Sequence, residues 1–179
     1  MNRPLQSRPT ADYATITAPQ TVRLQRLLSG PVERIWNYLT DDALRRTWLA
    51  AGQMQPAAGT SFTLTWRNDE LTDPPGNRPE GFDSENSLQS TITEYDPPHR
   101  LAFTWGSGEV AFDLEPQGDK VQLTVTHRGI SDRTNMLMVG AGWHQHLDTL
   151  VARAGGGTPE PFWDGWTRLR DEYDALIPA

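Results

Sequence analysis

Alternating hydrophobic and polar residues predict a series of β-strands that begins near residue 22. Between residues 22 and 28 the inward positions are apolar except for Arg26, which shares a face with its apolar neighbours. This period of two is typical of a strand that buries one face. The same pattern recurs in five later segments, at residues 62–66, 88–95, 101–105, 110–114 and 121–127. The sequence therefore predicts six strands.

Short turns join the last four of these segments. Residues 96–99 contain two prolines, residues 106–108 contain two glycines, and residues 116–119 contain one of each. Connections of this length allow only antiparallel neighbours, because a parallel crossover needs about a dozen residues. We therefore expect an antiparallel meander with one buried face.

Apolar residues spaced by three and four predict helices on both sides of the strand region. One helix should follow Pro31, and a second, short helix should follow Thr40. Their apolar residues are Val32, Ile35, Trp36, Leu39, Leu44 and Trp48. A long helix is predicted from Asn135 to about Ala154, before three glycines, and a final helix from Thr158. The apolar residues of these two helices are Met136, Val139, Trp143, Leu147 and Leu150, then Phe162, Trp166, Leu169, Tyr173 and Leu176.

This order of elements predicts an α+β fold in which a curved antiparallel sheet wraps around the long helix. Only that helix is long enough to cover the apolar face of the sheet. We expect a flexible tail at residues 1–11 and a single domain at 12–179, with a helical extension at 158–177. Residues 68–87 are rich in Pro, Gly and acidic residues and predict a long loop. Such loops are lids, binding loops or disordered insertions, and we expect a flexible insertion here.

Composition removes several classes of function. The 179 residues carry a formal net charge of -7 and contain no cysteine. Nucleic-acid binding relies on clustered Lys and Arg, so we expect neither nucleic acid nor an anionic membrane as a partner. The absence of cysteine excludes disulfides and thiolate chemistry and fits a cytoplasmic location. No apolar run is long enough to span a bilayer, and no secretory signal begins the sequence.

His144 and His146 are the most conspicuous candidates for a metal site. Residues two apart on a helix lie about 200° apart around its axis, so the two rings should point to opposite sides. We therefore predict no shared metal ion. His146 should border the buried face of the helix, and His144 should face solvent. No metal and no cofactor is predicted elsewhere.

No motif in the sequence indicates a catalytic residue. The chain has no cysteine nucleophile, no serine in a G-x-S-x-G context and no glycine-rich phosphate loop. The acidic pairs Asp41–Asp42 and Asp171–Glu172 fall on predicted helix surfaces, where charges are normally solvated. Enzymatic activity therefore has no positive support from motifs.

Four stretches carry a resemblance to a known family. They are GPVERIWNYLTD at 30–41, EYDPPHRLAFTW at 94–105, GWHQHLDTL at 142–150 and PFWDGWTRLRDEY at 161–173. The chain resembles the SRPBCC, or START-like, helix-grip domains, and within them the branch of the activator of heat-shock-protein-90 ATPase. The resemblance implies a helix-grip fold with an apolar cavity between the sheet and the long helix. It does not choose among ligand carriers, chaperone-binding modules and cyclases.

The inward-facing aromatic residues supply candidate walls for such a cavity. Small-molecule sites are mainly apolar, with a few polar groups that orient the ligand. The predicted lining consists of Trp66, Phe103, Trp105, Phe112, His127, Met136, Val139, Trp143 and Leu147. The candidate polar anchors are Arg26, Glu94 and His146.

These observations favour a protein without a cofactor that binds a small apolar or aromatic molecule. Two alternatives stay open. One is a module that binds a chaperone or another protein through its surface. The other is a cyclase-like enzyme that uses His127, Arg26 or Glu94 as acid, base or anchor.

Overall fold

The structure is a computed structural model that describes residues 12–179, so the predicted tail at 1–11 lies outside the described residues. The strands are β1 (Thr15–Ala18), β2 (Thr21–Ser29), β3 (Ser61–Trp66), β4 (Asn86–Asp96), β5 (Arg100–Trp105), β6 (Gly108–Gln117) and β7 (Lys120–Arg128). The helices are α1 (Val32–Thr40), α2 (Asp42–Arg45), α3 (Arg133–Ala154) and α4 (Phe162–Leu176). One turn of 3-10 helix, Asn68–Glu70, follows β3.

All the strands belong to one curved antiparallel sheet in the order β1-β2-β7-β6-β5-β4-β3. The predicted meander is present as β4 to β7, and β2 joins it by pairing with β7 from Thr21 opposite Arg128 to Ser29 opposite Lys120. Strand β1 was not predicted. Its four residues are all exposed, so no alternation of buried and exposed positions marks it in the sequence.

Helix α3 packs across the inner face of the sheet, which confirms the predicted helix-grip fold. It begins at Arg133 because the side chain of Asp132 accepts a hydrogen bond of 2.8 Å from the amide of Asn135, as an N-cap does. Trp143, Leu147 and Leu150 of this helix join the buried inward residues of the strands in the main core. This packing builds one wall of the space described below.

A β-bulge in β4 changes which side chains face the core. Ile92 pairs with Phe103, but Glu94 pairs with Ala102, so Thr93 is an extra residue on its strand. As a result Tyr95 faces inward and packs against Trp36, with 5.4 Å between ring centroids. The prediction that Glu94 lies on the inward face is wrong, because the bulge turns its side chain outward.

A second core forms between the back of α3 and helix α4. Leu137 and Ala141 of α3 meet Leu169 and Tyr173 of α4 there. The predicted apolar face of α4 is therefore buried except at its end. Leu176 is 58% exposed, and the chain leaves the helix so that Ile177 packs inward instead. Helix α3 is thus enclosed on two sides, by the sheet and by α4.

Candidate functional site

A cavity of about 610 Å³ opens between the sheet, α3, α4 and the segment that joins β3 to β4. We call that segment, residues 67–85, the covering loop. The strands contribute Trp66, Asn86, Ser87, Leu88, Trp105 and His127 to the lining. The helices contribute Asn135, Met138, Val139, Gly142, Trp143, His146, Phe162, Trp163 and Trp166, and the remaining residues are Leu49, Asn68, Gly81, Phe82 and Asp83. This volume is within the usual range of small-molecule sites.

Indole rings dominate the walls of the cavity, because five of the seven tryptophans in the chain line it. Trp105 lies at the centre of the sheet side. Its ring centroid is 5.0 Å from that of Trp66, 5.5 Å from that of Trp143 and 5.1 Å from that of His127. Such tilted contacts leave ring faces and edges available to a flat guest.

The covering loop closes the cavity on the side of α4. Phe82 packs against Trp163 and Trp166, with 5.4 Å and 5.0 Å between ring centroids. Near the start of the loop, Asp69 accepts a hydrogen bond of 2.7 Å from the indole nitrogen of Trp163. The covering loop and α4 thus form one wall of the cavity, and the contacts between them close that side.

Further hydrogen bonds fasten the covering loop to α4. The hydroxyl of Thr72 accepts from the amide of Phe162 at 2.9 Å, and the carbonyl of Pro75 accepts from the amide of Trp163 at 2.9 Å. Asp164 accepts from the amide of Asn77 at 2.9 Å. Because these contacts satisfy backbone groups at the start of a helix, the loop and the helix stabilise one another. The expectation of a flexible insertion is wrong for this part of the loop.

His127 presents one nitrogen to the protein and lies at the cavity wall. Its Nδ1 atom accepts a hydrogen bond of 3.0 Å from the indole nitrogen of Trp143. Burial lowers the pKa of this ring to about 4, so the ring is neutral near neutral pH. An indole N–H only donates, and the proton of the neutral ring therefore sits on Nε2.

His146 also lines the cavity, with the opposite arrangement of its nitrogens. Its Nδ1 atom lies 2.8 Å from the carbonyl oxygen of Trp48, which only accepts, so Nδ1 carries the proton. Burial lowers the pKa of His146 to about 4, although the bond to Trp48 opposes this shift. The Nε2 atom of this neutral ring is left as an acceptor.

Of the twelve predicted site residues, six line the cavity and six do not. Trp66, Trp105, His127, Val139, Trp143 and His146 are among the lining residues. Phe103, Phe112 and Leu147 are fully buried in the main core behind the wall. The prediction that they line the cavity is wrong, because neighbouring side chains cover them. Met136 faces the second core with α4, and Met138, on another side of the same helix, lines the cavity instead.

Arg26, another predicted anchor, is buried but lies away from the cavity. Its guanidinium donates to the carbonyl of Asp12 at 2.8 Å and to Asp148 at 3.2 Å. The other oxygen of Asp148 lies 3.5 Å from Nε2 of His144. Arg26 therefore joins a polar cluster behind α3. Glu94 is also outside the cavity, on the outer face of the sheet, where it pairs with Arg100.

His144 belongs to that cluster and is only 1% exposed. Its Nδ1 lies 2.9 Å from the hydroxyl of Tyr173 in α4. The prediction that His144 faces solvent is wrong, because α4 covers the side of α3 that would otherwise be exposed. The Nδ1 atoms of His144 and His146 form hydrogen bonds with different elements, α4 and the segment after α2, as expected for residues two apart on a helix.

The lining of the cavity carries almost no charge. Among the described residues that line it, none is Lys or Arg, and Asp83 at the rim is the single acidic residue. The remaining polar groups are the two neutral histidines, three asparagines and Ser87. The cavity therefore offers no cation to a buried carboxylate or phosphate.

Several lining residues were not predicted from the sequence. Phe82, Trp163 and Asn68 come from the covering loop and the start of α4. One signal was present: Phe82 is an isolated aromatic residue within an otherwise polar loop. An aromatic side chain in such a loop needs a partner to bury it. The rings of Trp163 and Trp166 near the start of α4 are these partners.

Comparison with known proteins agrees with this geometry. Residues 29–155 match the family described as Activator of Hsp90 ATPase homolog 1-like protein. The chain belongs to this family. The match spans α1 to the end of α3 and so includes both histidines of the cavity, whereas α4 lies beyond it. A comparison with curated proteins gave no match.

Solved structures extend the similarity to α4. The solution structure of the protein encoded by gene BPP1335 from Bordetella parapertussis is 33% identical, with a TM-score of 0.77 over 96% of this chain and 95% of that one. CalU16 from Micromonospora echinospora is 21% identical, with a TM-score of 0.64 over 89% of each chain. DynU16, from the dynemicin biosynthetic locus, is 19% identical, with a TM-score of 0.62 over 78% of this chain and 49% of its own. The last two similarities show the fold alone.

Within residues 12–179, no helix combines the length and the apolar character that crossing a bilayer requires.

Proposed function

We propose that this protein binds a small aromatic or apolar molecule in the cavity between the sheet and α3. The observation that carries the proposal is the convergence of five tryptophans on a space of about 610 Å³ that also contains two neutral histidines. A filled core would leave no such space, and a surface module would not need indoles that line it. Family membership supports the proposal, because it places the chain among helix-grip domains.

The alternative of a chaperone-binding module has less support. It would be favoured by one continuous apolar patch on the surface. The large apolar side chains that are most exposed are Ile16, Leu27 and Leu176, and they lie on β1, β2 and α4. Family resemblance is therefore the argument for this alternative, and the surface of residues 12–179 adds no such patch to it.

The cyclase-like alternative uses His127, Arg26 or Glu94 as acid, base or anchor, and it would be favoured if such groups met inside the cavity. His127 lines the cavity, but Arg26 and Glu94 pair with other residues elsewhere. That set of residues therefore does not form a catalytic group. The proposed role is binding, and the two histidines act as ligand contacts.

The test uses a pair of matched substitutions on α3. Val139 lines the cavity, whereas Val151 on the same helix is 39% exposed. Val139→Trp should fill the space, and Val151→Trp adds the same side chain outside it. Fluorene and other uncharged polycyclic aromatics should raise the melting temperature of the wild type and of Val151→Trp, because they bind the folded state. They should not raise that of Val139→Trp.

The opposite results would count against a cavity site. If no aromatic compound stabilises the wild type, the protein does not use this cavity for such ligands. Equal stabilisation of Val139→Trp would place the binding site somewhere else. Quenching of tryptophan fluorescence by the same compounds gives a second readout, since indoles form the wall.

A further inference from the structure

The two histidines of the cavity are fixed in opposite tautomers. Trp143 donates to Nδ1 of His127, and Nδ1 of His146 donates to the carbonyl of Trp48. Neither bond can be reversed, because an indole nitrogen has no lone pair to offer and a carbonyl oxygen has no proton. His127 therefore carries its proton on Nε2, and His146 carries a lone pair there.

The Nε2 atoms of His127 and His146 are both available to form hydrogen bonds with a ligand in the cavity. Among the described residues, neither Nε2 atom has a hydrogen-bond partner. Neither Nε2 atom is fully enclosed by the protein. Since both rings line the cavity, their Nε2 atoms are reached from inside it. One wall group thus donates and another accepts.

The positions of the rings make this arrangement rigid. His127 lies on β7, held by the bond to Trp143 and by the ring of Trp105 at 5.1 Å. His146 lies one turn beyond Trp143 on α3 and packs against Phe162, with 4.9 Å between ring centroids. A donor and an acceptor that are held in place before the ligand arrives recognise it with little loss of entropy.

We propose that the cavity selects uncharged aromatic molecules that carry both a hydrogen-bond acceptor, for Nε2–H of His127, and a hydrogen-bond donor, for Nε2 of His146. The proposal rests on the proposed function and specifies its ligand class. Carboxylates are excluded by the same cavity. No Lys or Arg lines it within the described chain, so a bound carboxylate would lose its hydration without gaining a counter-ion.

One aromatic scaffold tests each part of this selection. Fluorene has neither polar group, fluorenone has an acceptor, and hydroxyfluorenone has both. Methoxyfluorenone lacks only the donor. Each hydrogen bond should tighten binding by about 3- to 10-fold in calorimetric titration, the effect expected for a net hydrogen bond. Fluorenone carboxylate should bind on the order of 100-fold more weakly than fluorenone.

Substitutions assign each preference to one ring. His127→Leu should remove the preference for fluorenone over fluorene, which is read as the ratio of the two affinities in the same variant. His146→Leu should remove the preference for hydroxyfluorenone over methoxyfluorenone. His99→Leu is the matched control. His99 is exposed on a turn and does not line the cavity, so this variant should change no affinity.

A measurement on the wild type does not depend on whether these variants fold. Long-range proton–nitrogen NMR should show the Nε2–H tautomer for His127 and the Nδ1–H tautomer for His146. Identical tautomers, equal affinities across the series or tight binding of the carboxylate would each overturn this inference and leave the proposed function standing. If no member of the series binds, the proposed function fails and the inference fails with it.

Discussion

The indole nitrogen of Trp143 donates a hydrogen bond of 3.0 Å to Nδ1 of His127, and this bond joins the long helix to the sheet at the cavity wall. Trp143 is only 3% exposed, and its ring also contacts those of Trp105 and Phe112. One side chain therefore packs the core and fixes the tautomer of a cavity residue.

Trp143→Ala should lower the free energy of unfolding by roughly 3–5 kcal/mol, the range for removing a large buried aromatic side chain. Trp143→Phe keeps most of the packing and removes the N–H, so it should cost less, about 1–3 kcal/mol, for the unpaired nitrogen. Urea denaturation measures both. A loss below about 1 kcal/mol for the alanine variant would contradict the observed position of the ring.

Acid should destabilise the fold through the two cavity histidines. Burial lowers the pKa of both His127 and His146 to about 4, from 6.5 for an unperturbed ring. As the pH falls from 6.5 towards 4, the unfolded chain takes up these protons and the folded protein does not. The stability from keeping the rings neutral is complete above this window and is lost as the pH falls through it, by up to about 1.4 kcal/mol per pH unit for each ring.

The measurement is the free energy of unfolding between about pH 5 and pH 7, where the histidines dominate the titration. His127→Leu should reduce the slope, because one of the two rings is removed. An equal slope in the wild type and the His127 variant would mean that folding does not lower the pKa of His127.

The sequence predicted the fold and the centre of the site, because both depend on simple periodicity. Strand alternation placed Trp66, Trp105 and His127 on the inner face, and helical spacing placed Trp143 opposite them. Periodicity also explains one error. A strand that keeps its period would bury Glu94, and the extra residue Thr93 shifts the register by one.

The covering loop and the back of α3 depend on contacts between distant parts of the chain. His144 looks solvent-exposed from helical spacing alone, yet Tyr173, 29 residues later, covers it. Trp163 enters the cavity wall because Asp69 and Phe82 hold it there. No local pattern specifies these pairs, and so the covering loop and the burial of His144 could not be predicted.

Arg45 is expected to be the most sensitive charged residue for folding. It is 1% exposed, and its guanidinium donates to the carbonyls of Leu39, Thr40 and Gly52. Burial lowers its pKa to about 10, so it stays charged at neutral pH. Arg45→Ala leaves three carbonyls without this donor and should cost about 3–5 kcal/mol.

Arg45→Lys is the informative companion variant, because one ammonium group cannot reach all three carbonyls and should recover only part of the stability. Arg46→Ala is the control, since the neighbouring Arg46 is half-exposed and pairs with Asp42 on the surface. It should cost less than about 1 kcal/mol. Similar losses for Arg45→Ala and Arg46→Ala would show that Arg45 is not buried in this way.

The covering loop should control how fast a ligand leaves the cavity. Phe82 contacts the rings of Trp163 and Trp166, and both indoles line the cavity. Such aromatic pairs contribute about 0.5–1.5 kcal/mol each beyond the area they bury. Phe82→Ala removes two of them from the closed state, so the dissociation rate of a bound aromatic should rise on the order of 10-fold. The melting temperature without ligand should also fall, because Phe82 packs against the second core.

Stopped-flow displacement of a fluorescent aromatic ligand measures this rate directly. Phe82→Leu keeps an apolar side chain at the same position and should lie between the wild type and the alanine variant. Asp69→Asn weakens another contact between the loop and α4, the hydrogen bond of Asp69 with Trp163. This variant should also speed dissociation. If Phe82→Ala and the wild type release the ligand at the same rate, the ligand leaves by another route and the covering loop does not gate the site.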